Sequence, residues 1–141
     1  YLEKYSDHVI NVAYCHGDFH QGNILSNGEK YWILDWENSG QKQIGYDLFI
    51  LLLESRIERG FCNRFLRLVN NELDNDQMAL INNWPEIKWH DKSMKKIYLI
   101  IFLLEDLNFH IDENNNNLFY RKPNVLTARY KELEKIVINL K

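Results

Sequence analysis

Cysteine is scarce. Only Cys15 and Cys62 occur in 141 residues, with no C-x-x-C pair and no framework of spacings. That excludes a disulfide-stapled scaffold and suits free thiols in a reducing compartment. An excess of basic charge is lacking too. The formal net charge is −3, whereas nucleic-acid binders usually carry a basic face or stripe, so no nucleic-acid partner is expected. Long apolar runs are also missing. The longest, Ile97 to Leu104, meets Glu105 and Asp106 after eight residues. A membrane-spanning helix needs about 20, so the run reads as a buried helix and no membrane partner is expected. No internal repeat is visible, and the opening residues do not read as a signal peptide, which makes a cytoplasmic location the expectation. Tyr1 is not an initiator methionine, and the chain is expected to be a fragment or an excised domain.

What remains is an ordinary globular composition, 45% hydrophobic and 26% charged. The length suffices for one core, so residues 1–141 are expected to form a single domain. Residues 1–8 read as the end of a helix, and Val9 to Tyr14 as a short apolar stretch leading into the polar cluster Cys15 to Asn23. Two β-prone runs flank Asn27-Gly28 and predict a hairpin, because both residues tolerate positive φ; Asp35 stands at its end. From Gly45 the pattern turns helical, with Leu48, Leu51, Leu52 and Ile57 on one face and Gly60 as a stop. Phe61 to Leu73 repeats the pattern, and a shorter helix is expected from Asp76 to Asn83 before Pro85. Ser93 is the expected cap of a long helix to about His110, and the run Asn114 to Asn117 reads as a solvated loop. Asn124 is the expected cap of a last helix striped by Leu126, Tyr130, Leu133, Val137 and Leu140. The fold class is therefore α+β and mainly α-helical: a small β-hairpin element followed by four to five helices.

The polar chemistry is concentrated in the first 47 residues. His16-Gly17-Asp18-Phe19-His20-Gln21-Gly22-Asn23 sets a carboxylate five positions before a carboxamide, on a loop that enters a strand. Asp35 follows twelve positions after Asn23, beyond the hairpin. A hairpin returns its end near its start, so Asn23 and Asp35 can converge. Two oxygen donors of this kind suit Mg²⁺, which keeps several waters and takes phosphate oxygens as its other ligands. Asp18, near the metal but not bound to it, could accept or orient a hydroxyl proton. Phosphoryl transfer needs little beyond positioning, charge neutralisation and that carboxylate.

His16-Gly17-Asp18-x-x-x-x-Asn23 followed by Ile33-Leu34-Asp35-Trp36-Glu37 resembles the signature of the aminoglycoside phosphotransferase and choline kinase-like family. It is also similar to the H-R-D-x-x-x-x-N and D-F-G elements of protein kinases. Gly45-Tyr46-Asp47-Leu48 resembles the family's later Asp-Leu at a helix start, and the detailed likeness spans about residues 14–48. The resemblance implies the C-terminal lobe of a protein-kinase-like fold, without the nucleotide-binding lobe that carries the Gly-rich loop and strand lysine. It implies Asp18 as catalytic base or orienter, with His16 beside it anchoring the catalytic loop. Asn23 and Asp35 would hold Mg²⁺ and, through it, ATP or GTP; Asp47 would accept hydrogen bonds from the loop. Glu37 is a candidate substrate contact. Glu105 and Asp106 are further candidates, since in this family acceptors for substrate amines and hydroxyls often come from C-terminal helices, and Asp112 and Glu113 lie nearby. The implied reaction transfers a terminal phosphoryl group to a hydroxyl of a small molecule such as an aminoglycoside, amino alcohol or sugar. Where family members often carry glycine and proline after the Asp-Trp-Glu element, this chain has Lys42 and Ile44, which leaves the loop conformation there open.

Blander readings stand beside these. His20 reads as packing within the loop in preference to touching a ligand, and Cys15 as a buried inert thiol. A competing function is a non-catalytic lobe that binds a partner, or a second copy, through the surface its other lobe would cover. A metallophosphoesterase is disfavoured, because Gly17-Asp18-Phe19-His20 lacks the earlier Asp-x-His and later Asn-His pair that a two-metal site needs.

Overall fold

The computed structural model describes residues 7–57, 59–116 and 123–139. The apolar stretch after Asn11 becomes β1 (Val12–Cys15), and the runs flanking Asn27-Gly28 become β2 (Ile24–Ser26) and β3 (Tyr31–Ile33). A fourth strand, β4 (Gly40–Gln43), is followed by α1 (Tyr46–Leu53), α2 (Phe61–Val69), α3 (Asn75–Asn82), α4 (Lys92–Asn116) and α5 (Pro123–Asn139). The fold is α+β and mainly helical, with two separate two-stranded antiparallel sheets among the described residues.

The β2–β3 pair is the expected hairpin, in register Ile24↔Ile33 and Ser26↔Tyr31. Its turn is tied by Asn27 Oδ1, which accepts the amides of Glu29 and Lys30 at 3.1 and 2.9 Å, with Gly28 at positive φ. Strand β4 was not expected. Gly-Gln-Lys-Gln has no apolar alternation, and it is extended because β1 supplies the ladder, with Val12 opposite Gln43 and Cys15 opposite Gly40. Here Lys42 lies over the Tyr46 ring, 4.6 Å from its centre, and the Ile44 amide bonds Asn11 O at 3.0 Å. The segment that departs from the family's usual glycine and proline is therefore ordered sheet edge.

Helix α1 is buried almost all round, with Tyr46, Leu48, Phe49, Ile50, Leu52 and Leu53 inside, as a central core helix should be. Tyr46 and Phe49 both meet Phe102 of α4, with ring centres 5.5 Å apart. The helix stops before the expected point. Glu54 turns left-handed and the Ser55 amide returns to Ile50 O at 3.1 Å, so Ile57 lies outside it. Gly60 ends nothing; at φ +80 it is the residue before α2. Helix α3 begins in a capping box between Asp74 and Gln77.

Helix α4 is capped by Asp91, not Ser93. Asp91 Oδ1 accepts the amides of Ser93 and Met94 at 2.8 and 3.1 Å. The helix also continues past His110 and takes in Asn114 to Asn116, which were expected to be loop. The helix runs on despite the low helix propensity of asparagine, and just before this run Asn108 Nδ2 donates to Asp112 Oδ2 at 3.0 Å on the exposed side. Helix α5 starts at Pro123, where a proline is well placed, so Asn124 is inside it. Its core face keeps only part of the predicted stripe, with Leu133 packed against the core. Tyr130 and Val137 are 50% and 56% exposed, while Arg129 and Ile136 are both 0% exposed. The helix is turned so that a buried arginine faces the core, an orientation that counting apolar residues misses. The expected helix end at residues 1–6, together with Asn117 and Leu140, lies outside the described residues. No helix among the described residues is long and apolar enough to cross a membrane.

Candidate active site

The loop from His16 to Asn23 leaves β1 and enters β2, and three anchors shape it. The first is Asp47, in the first turn of α1. Its carboxylate accepts the His16 amide at 2.7 Å and the Gly17 amide at 2.9 Å, charge-assisted bonds that fix two successive peptides. The second is the His16 ring, 3% exposed. Its Nε2 donates to Leu34 O at 2.6 Å and its Nδ1 accepts the Asp18 amide at 3.2 Å. One tautomer satisfies both, and the ring ties the loop to the end of the hairpin. The third is Gly17 at φ +86, where a Cβ would run into the Asn38 carbonyl, so only glycine fits.

These anchors present Asp18, Asn23 and Asp35 together. Asn23 Nδ2 donates to Asp18 O at 3.0 Å and to Asp18 Oδ2 at 3.3 Å. That turns the amide nitrogen inward and leaves the amide oxygen as the outward group. Asp35 is exposed, with left-handed φ of 64°. The Ile24↔Ile33 pairing and the bond from the Leu34 amide to Asn23 O at 2.9 Å set Asp35 beside Asn23 at the mouth of the hairpin. His20 Nε2 lies 3.6 Å from Asp18 Oδ2, and its Nδ1 accepts the Gly22 amide at 3.1 Å. Glu37 is exposed in a short 3-10 turn, Trp36–Asn38, just past Asp35.

A family model described as the phosphotransferase enzyme family matches residues 9–90. The chain belongs to that family. The match covers this whole loop-and-hairpin arrangement and extends through α3. Comparisons with curated proteins and with solved structures gave no match.

Phosphotransferase chemistry in such a fold calls for a divalent cation, and the residues fit one. A carboxamide oxygen and an exposed carboxylate, brought side by side by the strand pairing, are hard oxygen donors. A magnesium ion that also takes phosphate oxygens and waters needs only one or two protein ligands. No cluster of three or more His, Cys, Asp or Glu suited to a metal occurs among the described residues.

Two other candidates have inward partners. Glu105 Oε1 accepts the Gln43 amide at 3.2 Å, which joins α4 to β4, and burial raises its carboxyl above the usual range. Asp106 is 1% exposed. One of its oxygens accepts Arg56 Nη1 at 2.9 Å, and the other pairs with Arg129 Nη2. Two arginines without a part in the sequence motif thus join this candidate site. Arg56 follows the abrupt end of α1; its Nε pairs with Asp18 Oδ1, and its Nη2 donates to Gly17 O at 3.1 Å. Arg129 also donates to Ser55 O at 2.9 Å. No local signal marked them: Arg56 lies in the turn after α1, and Arg129 is in a helix with many other charges. Cys15 is buried as expected, with its thiol pushed up to about 11 by burial, then by Asp47 and Glu105.

His110 lies one turn beyond Asp106, its Nε2 3.8 Å from Asp106 Oδ2 and its side chain 11% exposed. Burial lowers its pKa to about 4; Asp106 and Asp18 pull upward, and Arg129 and Arg56 push down. The unfolded chain binds this proton below about pH 6.5, and the folded chain resists it until about pH 4. Stability should therefore be full above pH 6.5 and fall by roughly 3 kcal/mol toward pH 4 from this group alone. Urea unfolding at pH 7, 6 and 5 should show the decline, and His110→Phe should flatten it; an equal slope in the variant would assign it elsewhere.

Proposed function

We propose that this chain is the catalytic lobe of a small-molecule kinase. It would transfer the terminal phosphoryl group of ATP or GTP to a hydroxyl of a small acceptor, of the aminoglycoside, amino alcohol or sugar kind. The observation that carries this reading is the grouping of Asp18, Asn23 and Asp35 around one hairpin mouth, on a loop held by the Asp47 carboxylate.

In this reading the acceptor hydroxyl lies against Asp18 Oδ2, the carboxylate oxygen not paired with Arg56. The hydroxyl oxygen attacks the γ-phosphorus, the bond from that phosphorus to the bridging oxygen breaks, and the hydroxyl proton passes to Asp18. Asn23 keeps Asp18 in place with its amide N–H and offers its oxygen outward, and Asp35 supplies the second donor. The magnesium ion these two would hold contributes charge neutralisation at the phosphates. His16 and Asp47 hold the loop so that no backbone rearrangement is needed at the moment of transfer.

A second lobe over this face would supply the remaining nucleotide contacts. The hairpin supports it: Leu25, Tyr31, Trp32, Ile33, Leu34 and Trp36, on and just beyond its strands, are each 41–74% exposed. An apolar area of this kind suits a covering domain or, without one, a second copy.

The test is a titration of Mg²⁺ with ATP, then GTP, into the purified chain and its Asp35→Ala variant, read by thermal shift and calorimetry. A ligand at about 100 times its Kd stabilises the folded state by about 2.7 kcal/mol, a clear shift in melting temperature. Magnesium-dependent binding that Asp35→Ala abolishes is the expected result. If neither the chain nor the longest polypeptide of its reading frame binds nucleotide while well folded, the lobe is a binding module and not an enzyme.

A further inference from the structure

We propose that Arg56 is a positioning residue for Asp18, and that the buried Asp106–Arg129 pair between α4 and α5 sets its place. The inference rests on the phosphotransfer reading of Asp18 and adds to it a residue that no part of the motif contains.

Among the described residues Arg56 has four hydrogen-bonding engagements, two on the loop that carries Asp18, one on α4 and one on the neighbouring Ser55. Nε pairs with Asp18 Oδ1, Nη2 donates to Gly17 O at 3.1 Å, and Nη1 donates to Asp106 Oδ1 at 2.9 Å and to Ser55 Oγ at 3.3 Å. The guanidinium carbon also lies 3.9 Å from the centre of the Phe109 ring. A planar fork bound at every edge and stacked on one face has little freedom to turn. Burial disfavours its charge, but Asp106 and then Asp18 outweigh that and hold its pKa above the ordinary value. The cation is therefore permanent.

The consequence for Asp18 is an asymmetry between its two oxygens. Oδ1 is taken by the guanidinium, while among the described residues Oδ2 has only Asn23 Nδ2 at 3.3 Å and His20 Nε2 at 3.6 Å nearby. One lone-pair direction is left for a hydroxyl, and its bearing is fixed by Arg56. In a loose phosphoryl-transfer transition state the carboxylate mainly orients the nucleophile, so this bearing matters more than its basicity. Arg56 is fixed in turn by Asp106, whose second oxygen is occupied by Arg129, fully buried on α5. The geometry of the loop near residue 18 thus depends on a helix more than a hundred residues away in sequence.

A lysine cannot reproduce this. It would keep the charge but offers one point of attachment where the guanidinium spans Asp18, Gly17 and Asp106. Two variants, Arg56→Ala and Arg56→Lys, are therefore compared. The first readout needs no substrate: the side-chain amide signals of Asn23 in ¹⁵N spectra of the chain. With Asp18 released, both variants should shift them toward free-amide positions. Unchanged Asn23 signals in a folded variant would overturn the proposal.

The second readout is turnover by the longest polypeptide of the reading frame, with Mg·ATP hydrolysis and an acceptor panel as probes. Arg56→Ala should lower kcat about 100-fold with KM for ATP within about twofold, the pattern of misplacement and not of lost binding. Millimolar methylguanidine should restore part of it. In an Asp18→Asn background the same change should cost nothing further, since its effect passes through that carboxylate. Full kcat in Arg56→Ala beside an inactive Asp18→Asn would sink this inference alone. Full transfer by Asp18→Asn would sink the role of Asp18 as hydroxyl acceptor, and no transfer by the unsubstituted polypeptide would sink the kinase reading; the Asn23 signals would still decide whether Arg56 positions Asp18.

Discussion

Asp106→Ala should destabilise the chain by roughly 3–5 kcal/mol, the range for a buried ion pair broken from one side. Asp106 is 1% exposed and accepts from both Arg56 and Arg129, and Arg129 is wholly buried over the Phe61 ring, 3.6 Å from guanidinium carbon to ring centre. Removing the carboxylate leaves one permanent cation sealed between α2, α4 and α5 and a second half-released beneath the loop. Arginine cannot shed its proton to relieve this. Urea unfolding at pH 7 measures the loss directly, and a loss below about 1 kcal/mol would mean that water already reaches the pair. A paired replacement of Asp106 and Arg129 by leucine and methionine should recover much of the stability, because the intact pair itself yields little net gain over apolar packing. Stability regained without function would separate what the pair does for the fold from what it does for the loop.

The shape of the motif region was legible because its determinants are local. Asp18, Asn23, Asp35 and Asp47 sit at fixed distances along the chain, and the β2–β3 hairpin between them is specified by Asn27-Gly28. What sequence reading missed is long-range. Strand β4 has no pattern of its own and is extended only because β1 lies beside it. Helix α1 ends at Leu53 through a left-handed Glu54, a residue with no propensity for that conformation. Counting apolar residues on α5 favoured Tyr130 and Val137, yet the helix is oriented by one buried charge, Arg129, that seeks Asp106. The family resemblance put Glu105 and Asp106 among candidate substrate contacts, and the alternative reading made them a solvated face; neither pointed to their inward partners. Their partners, Gln43 and the two arginines, lie 50 to 62 residues away on one side and 23 on the other. Nothing local announces such a pairing.

Asp18→Asn should reduce phosphoryl transfer by about 10²- to 10⁴-fold, the span associated with losing a positioned proton acceptor. The fold should tolerate the change. Asn keeps the shape, Asp18 is only partly buried, and the loop retains its anchors at Asp47, His16 and Gly17. Two local effects follow from the geometry. The carboxamide can still accept from Arg56, but without charge, so a bond of the strong kind becomes an ordinary one. If its nitrogen instead faces Asn23 Nδ2 and His20 Nε2, two donors oppose each other where one donor now meets an acceptor. Nucleotide binding should be nearly unchanged, because Asn23 and Asp35 are untouched. The decisive comparison is therefore between Asp18→Asn and Asp35→Ala. The first should bind Mg·ATP and fail to transfer it, and the second should fail to bind. If both lost binding equally, Asp18 would be part of the metal site and the hydroxyl would need another acceptor. If Asp18→Asn transferred at the full rate, the carboxylate would be a loop fastener for Arg56 and nothing more.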